Sequence, residues 1–288
     1  MGVSALAYVT FDVADMPVWK DLYTRVLGMQ LTERADGAVN IRMDDKRHRV
    51  TLYPSGKDRL RSAGWELPTA EALEDLVAAL RGRGLDVTKG DPALCKERGV
   101  EMLYRFHEPY LSVETELIVG HHVANLAFVP TRGISGYKTQ DIGLGHIVFH
   151  THDVDGAVAF YRDVMGFRLS DYMAWDDISA IFLHCNPRHH SLAIMNLFAD
   201  IPTGAFNHIM YEANSFDDVG YAYDIVRESG IPLIMDMGKH SNDFTQSFYI
   251  RTPGGYGIEY GANGRLVGPD WVVKNYDQPM LYGHRFVG

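Results

Sequence analysis

Apolar and polar positions follow one pattern four times along the chain. Each copy begins with a strand of alternating apolar residues that ends at an Asp, Ser or Thr. A helix with apolar residues at every third or fourth position follows, and short apolar strands come after it. The glycines that close or follow the helices are Gly28, Gly84, Gly166 and Gly230. The later strands include residues 39–43, 49–54, 180–185 and 191–196. The pattern therefore predicts four βαβββ modules.

The four modules are arranged as two tandem copies of one domain. Residues 6–31 align without a gap with residues 144–169, and the two segments share an Asp, a Tyr and a Gly at the same positions. Within the second copy, residues 207–223 align in the same way with residues 145–161. We therefore predict an α+β fold in which the strands of each domain form curled open sheets with the helices outside.

The repeat also predicts where the domains begin and end. The first domain is expected to fill residues 1–130 and the second residues 141–262, with a connector that contains Pro, Gly and Ser between them. Residues 263–288 form a tail rich in aromatic side chains, which we expect to pack near the functional site. The concave face of the sheets is the expected place for that site.

Charge and composition exclude several classes of protein. The chain has 288 residues, and its 27 Lys and Arg against 37 Asp and Glu give a net charge of -10, without a basic run. Nucleic acid and anionic membranes are therefore not expected partners. Apolar runs are too short to span a bilayer, and the N-terminus lacks the basic region of a signal peptide. The two cysteines, Cys95 and Cys185, fit a reducing cytoplasm.

Histidine is the residue that points to chemistry. Eight of the 13 histidines fall between His146 and His240. His146 and His208 occupy the same position of the same strand, in the segments GHIVF and NHIMY. Because equivalent residues of symmetric modules face each other, we expect the two imidazoles to converge. The first domain has Tyr8 and Ser62 at these positions, so we expect it to be free of metal.

A carboxylate completes the predicted metal site. In the strand YGIEYG, Glu259 faces the side opposite to the aromatic and aliphatic residues. An inward carboxylate is costly unless it is paired or coordinates a metal. Counting from the preceding proline of each domain places Thr115, between Glu114 and Glu116, at the equivalent position of the first domain.

Two histidines and one carboxylate form the facial triad of non-haem Fe(II) oxygenases. Zn, Mn, Co and Ni can use similar ligands, so the three residues alone do not fix the metal. Two alternatives stay open. The histidines could be hydrogen-bonded core residues while Glu259 pairs with an arginine. A symmetric pair of His150 and Glu212 could bind the metal instead. Other residues that could compete are His152, His184 and Cys185.

Several spaced segments of the chain resemble one known family. The segments are GLGHIVFHTHDVDGAVAFYRDVMGFRLSDY, CNPRHHSLA, HIMYEANSFDDVGYAYD, GKHSNDFTQSFYIRTPGGYGIEYG and the tail sequence YGHRF. They resemble the two-domain type I extradiol ring-cleavage dioxygenases of the vicinal oxygen chelate superfamily. The resemblance covers essentially the full chain and is strongest over residues 141–288. It implies a catechol and O2 as substrates, one Fe(II), and a homo-oligomer, since many relatives are octamers.

The resemblance also implies roles for individual residues. It makes the three residues of the predicted triad the iron ligands. His190 matches the acid–base histidine of the family, and His240 matches a histidine near the bound oxygen and the catecholate. Tyr249 matches a tyrosine that contacts a catechol oxygen. Asn242 and Asp243 match positions just outside the residues that contact the metal, and we place them with the substrate-binding residues.

Apolar residues near the expected site predict the size of the substrate. They are Val148, Met173, Trp175, Ile178, Phe182 and, in the tail, Pro279 and Met280. Each could be plain core, but together they indicate a pocket wider than one catechol ring. We therefore expect 2,3-dihydroxybiphenyl or a similar bicyclic catechol as substrate. The natural catechol, and the choice between Fe(II) and Mn(II), are not fixed by the sequence.

Two other functions are compatible with the predicted fold. One is a metal-dependent, glyoxalase-like isomerase or lyase, which would usually use more carboxylate ligands or a different metal. The other is a non-enzymatic small-molecule-binding protein of the same superfamily. The second alternative gives no reason for an inward Glu259 beside His146 and His208.

Overall fold

Each of the four predicted modules folds as a strand, a helix and three further strands. The computed structural model describes residues 2–197 and 201–287. The first two modules contain β1 (Ala5–Val13), α1 (Met16–Asp21), β2 (Gln30–Glu33), β3 (Val39–Arg42), β4 (Val50–Pro54), β5 (Arg59–Glu66), α2 (Ala70–Gly82), β6 (Thr88–Lys89), α3 (Pro92–Arg98), β7 (Met102–His107) and β8 (Glu114–Val119). The last two modules and the tail contain β9 (Gly145–Thr151), α4 (Val154–Asp163), β10 (Arg168–Trp175), β11 (Ile178–His184), β12 (Leu192–Asn196), β13 (Phe206–Glu212), α5 (Phe216–Ser229), β14 (Leu233–His240), β15 (Gln246–Arg251), β16 (Gly257–Ala262), β17 (Lys274–Tyr276) and β18 (Met280–Tyr282).

The helices begin and end where the sequence predicts. The side chains that accept a hydrogen bond from the first turn of α1, α2, α4 and α5 are Asp15, Thr69, Asp153 and Ser215. The four predicted glycines after these helices all have a positive φ, which glycine adopts without steric cost. Helix α1 continues as one π-helical turn over Leu22–Val26, and a 3₁₀ turn at Gln140–Ile142 leads into β9.

The two modules of each domain join into one continuous sheet. The strand order is β2-β3-β4-β1-β5-β8-β7-β6 in the first sheet and β17-β10-β11-β12-β9-β13-β16-β15-β14-β18 in the second. Within a module the first and last strands pair in parallel, and the first strands of two neighbouring modules pair antiparallel. The predicted fold class is confirmed, with the addition of α3 in the second module and of two short tail strands.

The antiparallel pairing of β9 with β13 joins the two modules at the centre of the second sheet. A Cβ on Gly145 would lie 1.8 Å from the carbonyl oxygen of Met210, and Gly145 has a φ of +154°. Only glycine allows the two backbones to approach this closely. The strand that carries His146 is therefore fixed against the strand that carries His208.

A shared apolar core joins the two halves of the chain. Phe11 stacks with Trp19 and with Tyr256 of the second half, and the hydroxyls of Tyr23 and Tyr211 lie 2.9 Å apart. The strands of the first sheet lie within residues 5–119 and those of the second within residues 145–282. We propose that the domain boundary lies between residues 119 and 145, which includes the connector predicted between residues 130 and 141. None of the described helices is long and apolar enough to cross a membrane.

Candidate active site

Three neighbouring strands bring His146, His208 and Glu259 to one face of the second sheet. Met210 of β13 lies between His146 of β9 and Glu259 of β16, and each of the two is its cross-strand partner. Cross-strand partners point to the same face, and His208 shares that face because it lies two residues before Met210. The convergence predicted from the repeat therefore follows from strand register.

The three predicted ligand atoms form one tight group. His146 Nε2 lies 3.2 Å from His208 Nε2 and 3.2 Å from Glu259 Oε2. The distance from His208 Nε2 to Glu259 Oε2 is 3.4 Å. The side chains of His146, His208 and Glu259 are 5%, 12% and 2% exposed, so bulk water barely reaches this group. A further group of potential ligand atoms within the described residues is formed by His189, His190 and Asp243.

Hydrogen bonds orient two of the predicted ligands, His208 and Glu259. The amide oxygen of Asn207 accepts from His208 Nδ1 at 2.6 Å, which leaves a lone pair on His208 Nε2. Burial lowers the pKa of His208 to about 4, so the imidazole is neutral near pH 7. Ser247 Oγ donates to Glu259 Oε1 at 2.6 Å and leaves Oε2 toward the histidines.

The carboxylate of Glu259 is ionised. Burial alone would raise its pKa, but hydrogen bonds with His146, His208 and His240 outweigh burial and hold the pKa well below the usual value. Its ion pairs among the described residues are all with histidine and none is with arginine. Imidazole nitrogens and one carboxylate oxygen, oriented from behind, fit a divalent transition metal.

The first domain has a different constellation at the same place. Gly64 is the cross-strand partner of both Tyr8 and Glu116, as Met210 is of His146 and Glu259. The prediction that Thr115 is the equivalent of Glu259 is therefore wrong, and Glu116 holds that position. Glu116 follows Pro109 by seven residues, whereas Glu259 follows Pro253 by six, so a count of six from Pro109 ends one residue early.

A guanidinium neutralises this first-domain carboxylate. Arg98 Nε donates to Glu116 Oε2 at 2.8 Å and Arg98 Nη2 to Glu116 Oε1 at 2.9 Å. Tyr8 Oη donates to the same carboxylate, and all three side chains are buried. The alternative in which Glu259 pairs with an arginine thus describes Glu116 of the first domain and not Glu259. Arg98 lies on α3, the helix that the repeat did not predict.

The alternative ligands have other partners. Glu212 forms ion pairs with Arg188 and Lys138, so its charge is neutralised without a metal. His150 Nδ1 lies 3.0 Å from the carbonyl oxygen of Asn196, at the end of β12. The potential metal-binding groups of the described residues do not include His152, His184 or Cys185.

A cavity of about 990 Å³ opens beside the three ligands. Every residue that the sequence predicted for the site lines it. In addition to the ligands, these residues are Val148, Met173, Trp175, Ile178, Phe182, His190, His240, Asn242, Asp243, Tyr249, Pro279 and Met280. The structure thus brings all of them to one cavity, while their individual roles stay predictions.

The polar end of the cavity holds His240 and Tyr249. Their Nε2 and Oη atoms are 2.7 Å apart, and His240 Nδ1 lies 3.0 Å from the carbonyl oxygen of Pro279. Burial would lower the pKa of His240, but Glu259 and Asp243 outweigh burial and raise it to about 9. His240 is therefore protonated at neutral pH and donates from both ring nitrogens, to Tyr249 Oη and to the carbonyl oxygen of Pro279.

His190 lies next to the ligand group without belonging to it. Its ring centroid is 3.9 Å from that of His146 and 4.9 Å from that of Phe182. Burial, followed by the charges of His146 and His189, holds the pKa of His190 well below the usual value. A neutral imidazole in this place can accept a proton from a molecule bound in the cavity.

Several residues of the site were not predicted. Asn207 and Ser247 orient the ligands, and both could have been found, since Asn207 precedes His208 and Ser247 lies two residues before Tyr249 on one strand. Residues of the first domain also line the cavity, among them Arg61 and Glu114. Nothing in the local sequence indicates that they reach a site of the second domain.

Two buried histidines and a carboxylate beside a cavity, on tandem βαβββ domains, define a metal-dependent enzyme with a mononuclear site. Comparisons with known proteins agree. Residues 143–260 match the Glyoxalase/Bleomycin resistance protein/Dioxygenase superfamily, and residues 6–55 match Dihydroxybiphenyl dioxygenase BphC D1. The chain is 37% identical to biphenyl-2,3-diol 1,2-dioxygenase of Paraburkholderia xenovorans, over 100% of this chain and 97% of that protein.

Further relatives have the same full-length coverage. The chain is 34% identical to the iron-dependent extradiol dioxygenase of Rhodococcus jostii, over 99% of this chain and 98% of that protein. The crystal structure of BphC, a halotolerant catechol dioxygenase, superposes with a TM-score of 0.93 and 33% identity, over 99% of this chain and 95% of that one. The chain therefore belongs to the extradiol ring-cleavage dioxygenases of this superfamily. The predicted family and enzyme class are confirmed.

Proposed function

We propose that this enzyme opens the ring of a bicyclic catechol, such as 2,3-dihydroxybiphenyl, with O2 at one Fe(II) held by His146, His208 and Glu259. When bound, Fe(II) supplies open coordination positions where a catechol and O2 can be activated side by side. The carboxylate cancels one of its two charges, and a singly ionised catechol cancels the other, which suits a buried site. Mn(II) accepts the same ligands, and metal analysis of the native protein distinguishes the two.

The remaining polar residues act on the diol. We assign His240 and Tyr249 to the catechol oxygens, because this hydrogen-bonded pair lies beside Glu259 at the polar end of the cavity. His190 is the base that takes the second catechol proton and later returns a proton, since burial keeps its imidazole neutral. Asn242 and Asp243 complete this end of the cavity.

The observation that carries the choice of substrate is an apolar floor that continues from the metal site. Val148 lies two residues after His146 on β9 and shares its face. Ala193 of β12 is the cross-strand partner of Val148, and Phe182 of β11 is the partner of Ala193. This first row of the floor thus has a small residue at its centre.

The next row repeats this arrangement. Ala180 of β11 pairs with Met195 of β12 on one side and with Met173 of β10 on the other. The Ala180 side chain again leaves open volume between two larger side chains. Trp175 and Ile178 are cross-strand partners at the end of the same hairpin and form the far wall. The floor is apolar and wide enough for a second ring beside the diol.

A bicyclic catechol should therefore be preferred over catechol itself. Burial of a second ring contributes roughly 1.5–3 kcal/mol, as for a phenylalanine side chain, which corresponds to roughly 10–150-fold in kcat/KM. We expect 2,3-dihydroxybiphenyl to exceed catechol and 3-methylcatechol by this factor, measured from the yellow ring-opened product. Equal or higher kcat/KM for the single-ring catechols would contradict the proposed substrate class and leave ring cleavage untouched.

A substitution that fills the apolar floor tests whether the floor is the cause of the substrate preference. Ala193→Leu places a side chain where the second ring would lie, so it should remove most of the preference for the bicyclic substrate while catechol turnover is kept. Ala174→Leu is the matched control, because Ala174 is exposed on β10 and faces away from the cavity. A parallel loss for both substrates in Ala193→Leu would instead indicate general damage to the fold.

We also propose a homo-oligomer, with the octamer of the family as the expected form, in the cytoplasm. Large apolar side chains such as Leu126, Val272 and Phe286 are more than two-thirds exposed and would be covered in an assembly. Light scattering of the purified protein measures the assembly, and a monomer would contradict it.

Cys95 and Cys185 are free thiols, which persist in a reducing compartment.

A further inference from the structure

A buried series of hydrogen bonds leads from His190 to two residues that do not line the cavity. His189 Nδ1 lies 3.0 Å from His190 Nδ1, and His189 Nε2 lies 2.8 Å from Asp171 Oδ2. The three residues are at most 4% exposed. His190 lines the cavity, whereas His189 and Asp171 lie behind it. None of the roles described above uses these two residues.

The donor of each hydrogen bond between Asp171, His189 and His190 follows from the number of hydrogens and lone pairs that each group has. Asp171 Oδ1 already accepts from the backbone N–H of Lys274 at 2.8 Å, and a carboxylate can only accept. His189 Nε2 must therefore carry the hydrogen that is donated to Asp171 Oδ2. An imidazole whose single hydrogen is on Nε2 has a lone pair at Nδ1, so this arrangement makes His190 Nδ1 the donor of the bond between the two rings.

The charge around His190 favours the same assignment. Asp243 Oδ2 lies 4.0 Å from His190 Nδ1, and a carboxylate favours a hydrogen on the nearer nitrogen. The remaining nitrogen, Nε2, lies on the other side of the ring from the bond to His189, and His190 lines the cavity. Nε2 keeps its lone pair and is the atom that can accept a proton.

The tail of the chain fixes this arrangement. Strand β17 pairs with β10 in parallel, which brings the backbone N–H of Lys274 to Asp171. Trp271 packs edge-on against the His189 ring, with centroids 5.4 Å apart, and donates from Nε1 to the carbonyl of Ser170 at 2.7 Å. Asp171 and His189 are therefore held from three sides.

The first domain offers an internal comparison. His48 precedes β4 as His190 precedes β12, because Val50 and Leu192 hold equivalent registers against β1 and β9. The residue before His48 is Arg47, which is exposed, and His48 Nε2 bonds instead to the carbonyl of Arg98. The histidine is thus present in both domains, but a buried histidine–carboxylate pair stands behind it only in the domain with the metal ligands.

We propose that Asp171 and His189 are positioning residues that hold His190 in the tautomer with a free Nε2 toward the substrate. The inference rests on the proposed role of His190 as the base. Asp171 acts through His189, and His189 acts through the single bond between the two Nδ1 atoms. Neither residue touches the substrate.

Asp171→Asn tests this inference by reversing the tautomer. The single amide oxygen is needed by the N–H of Lys274, so the amide NH2 faces His189 Nε2, which must then accept. His189 would donate from Nδ1, and His190 would carry its hydrogen on Nε2. We expect kcat to fall by about 10²-fold, the lower end of the range for acid–base groups, with KM and iron content unchanged.

A double-mutant cycle separates positioning from a general structural role. In a His190→Phe background, Asp171→Asn should cause no further loss of kcat, because its effect passes through His190. Additive losses, a loss of iron, or unchanged turnover in Asp171→Asn would overturn the inference. If Asp171→Asn does not fold, His189→Gln serves in the same cycle, since its amide can still donate to Asp171 but offers no acceptor at the position of Nδ1.

The same cycle distinguishes this inference from the proposed function. Unchanged turnover in His190→Phe would mean that His190 is not the base, and the proposed function would then need revision. A large loss in His190→Phe together with none in Asp171→Asn would leave the proposed function intact and remove only the positioning role.

Discussion

Replacement of His146, His208 or Glu259 by alanine is expected to abolish both iron binding and ring cleavage while the fold survives. Each replacement removes one of three ligands and leaves a site that holds a divalent ion too weakly. The fold should survive because these side chains face the cavity and not the apolar core. Iron per chain after anaerobic reconstitution, circular dichroism and turnover measure the three properties.

The first domain supplies the matched control for this experiment. Tyr8 holds the position of His146 in the first sheet, so Tyr8→Phe should keep one iron per chain and full turnover. The Tyr8 hydroxyl donates a hydrogen bond to the Glu116 carboxylate, whose charge Arg98 already neutralises. About two irons per chain in the unaltered protein, or full activity in any of the three ligand variants, would contradict the assignment.

The second large effect is expected at His190. Phenylalanine keeps a ring against His146 and Phe182 but cannot accept a proton. His190→Phe should therefore retain iron and lose about 10²–10⁴-fold in kcat, the usual contribution of a general acid–base group. Steady-state kinetics with metal analysis of the same samples measures both quantities.

His48→Phe is the corresponding control, because His48 holds the equivalent position before β4 and does not line the cavity. It should leave kcat and KM unchanged, although the loss of its bond to the Arg98 carbonyl can lower the stability. Loss of iron in His190→Phe would mean that His190 is a ligand and not a base.

The convergence of His146 and His208 could be predicted because the chain repeats itself. Equivalent strands of two modules must face each other, so two histidines at one strand position converge whatever the loops do. Glu259 was placed by the alternation of its strand and by the cost of an inward carboxylate, although the count for the first domain ended at Thr115 when the register selects Glu116. A count along the chain cannot detect one extra residue in a turn, whereas strand pairing can.

Other features depend on contacts that no local pattern contains. Arg98 lies on a helix inserted into the second module, and only the folded chain shows that its guanidinium reaches Glu116. Asp171 reaches His189 because β10 and β11 fold back as a hairpin, and the tail strand that fixes Asp171 comes much later in the sequence. The apolar floor was predicted from its large residues, while Ala180 and Ala193, which create its width, gave no signal.

We expect this enzyme to insert both atoms of O2 into a catechol beside its diol. The most direct measurement is a reaction of the Fe(II)-loaded protein with 2,3-dihydroxybiphenyl under ¹⁸O2, followed by mass spectrometry of the yellow product. We expect two labelled oxygen atoms in one ring-opened acid, allowing for exchange of the carbonyl oxygen with water. An unopened ring, or a product opened between the two hydroxyl groups, would contradict the account.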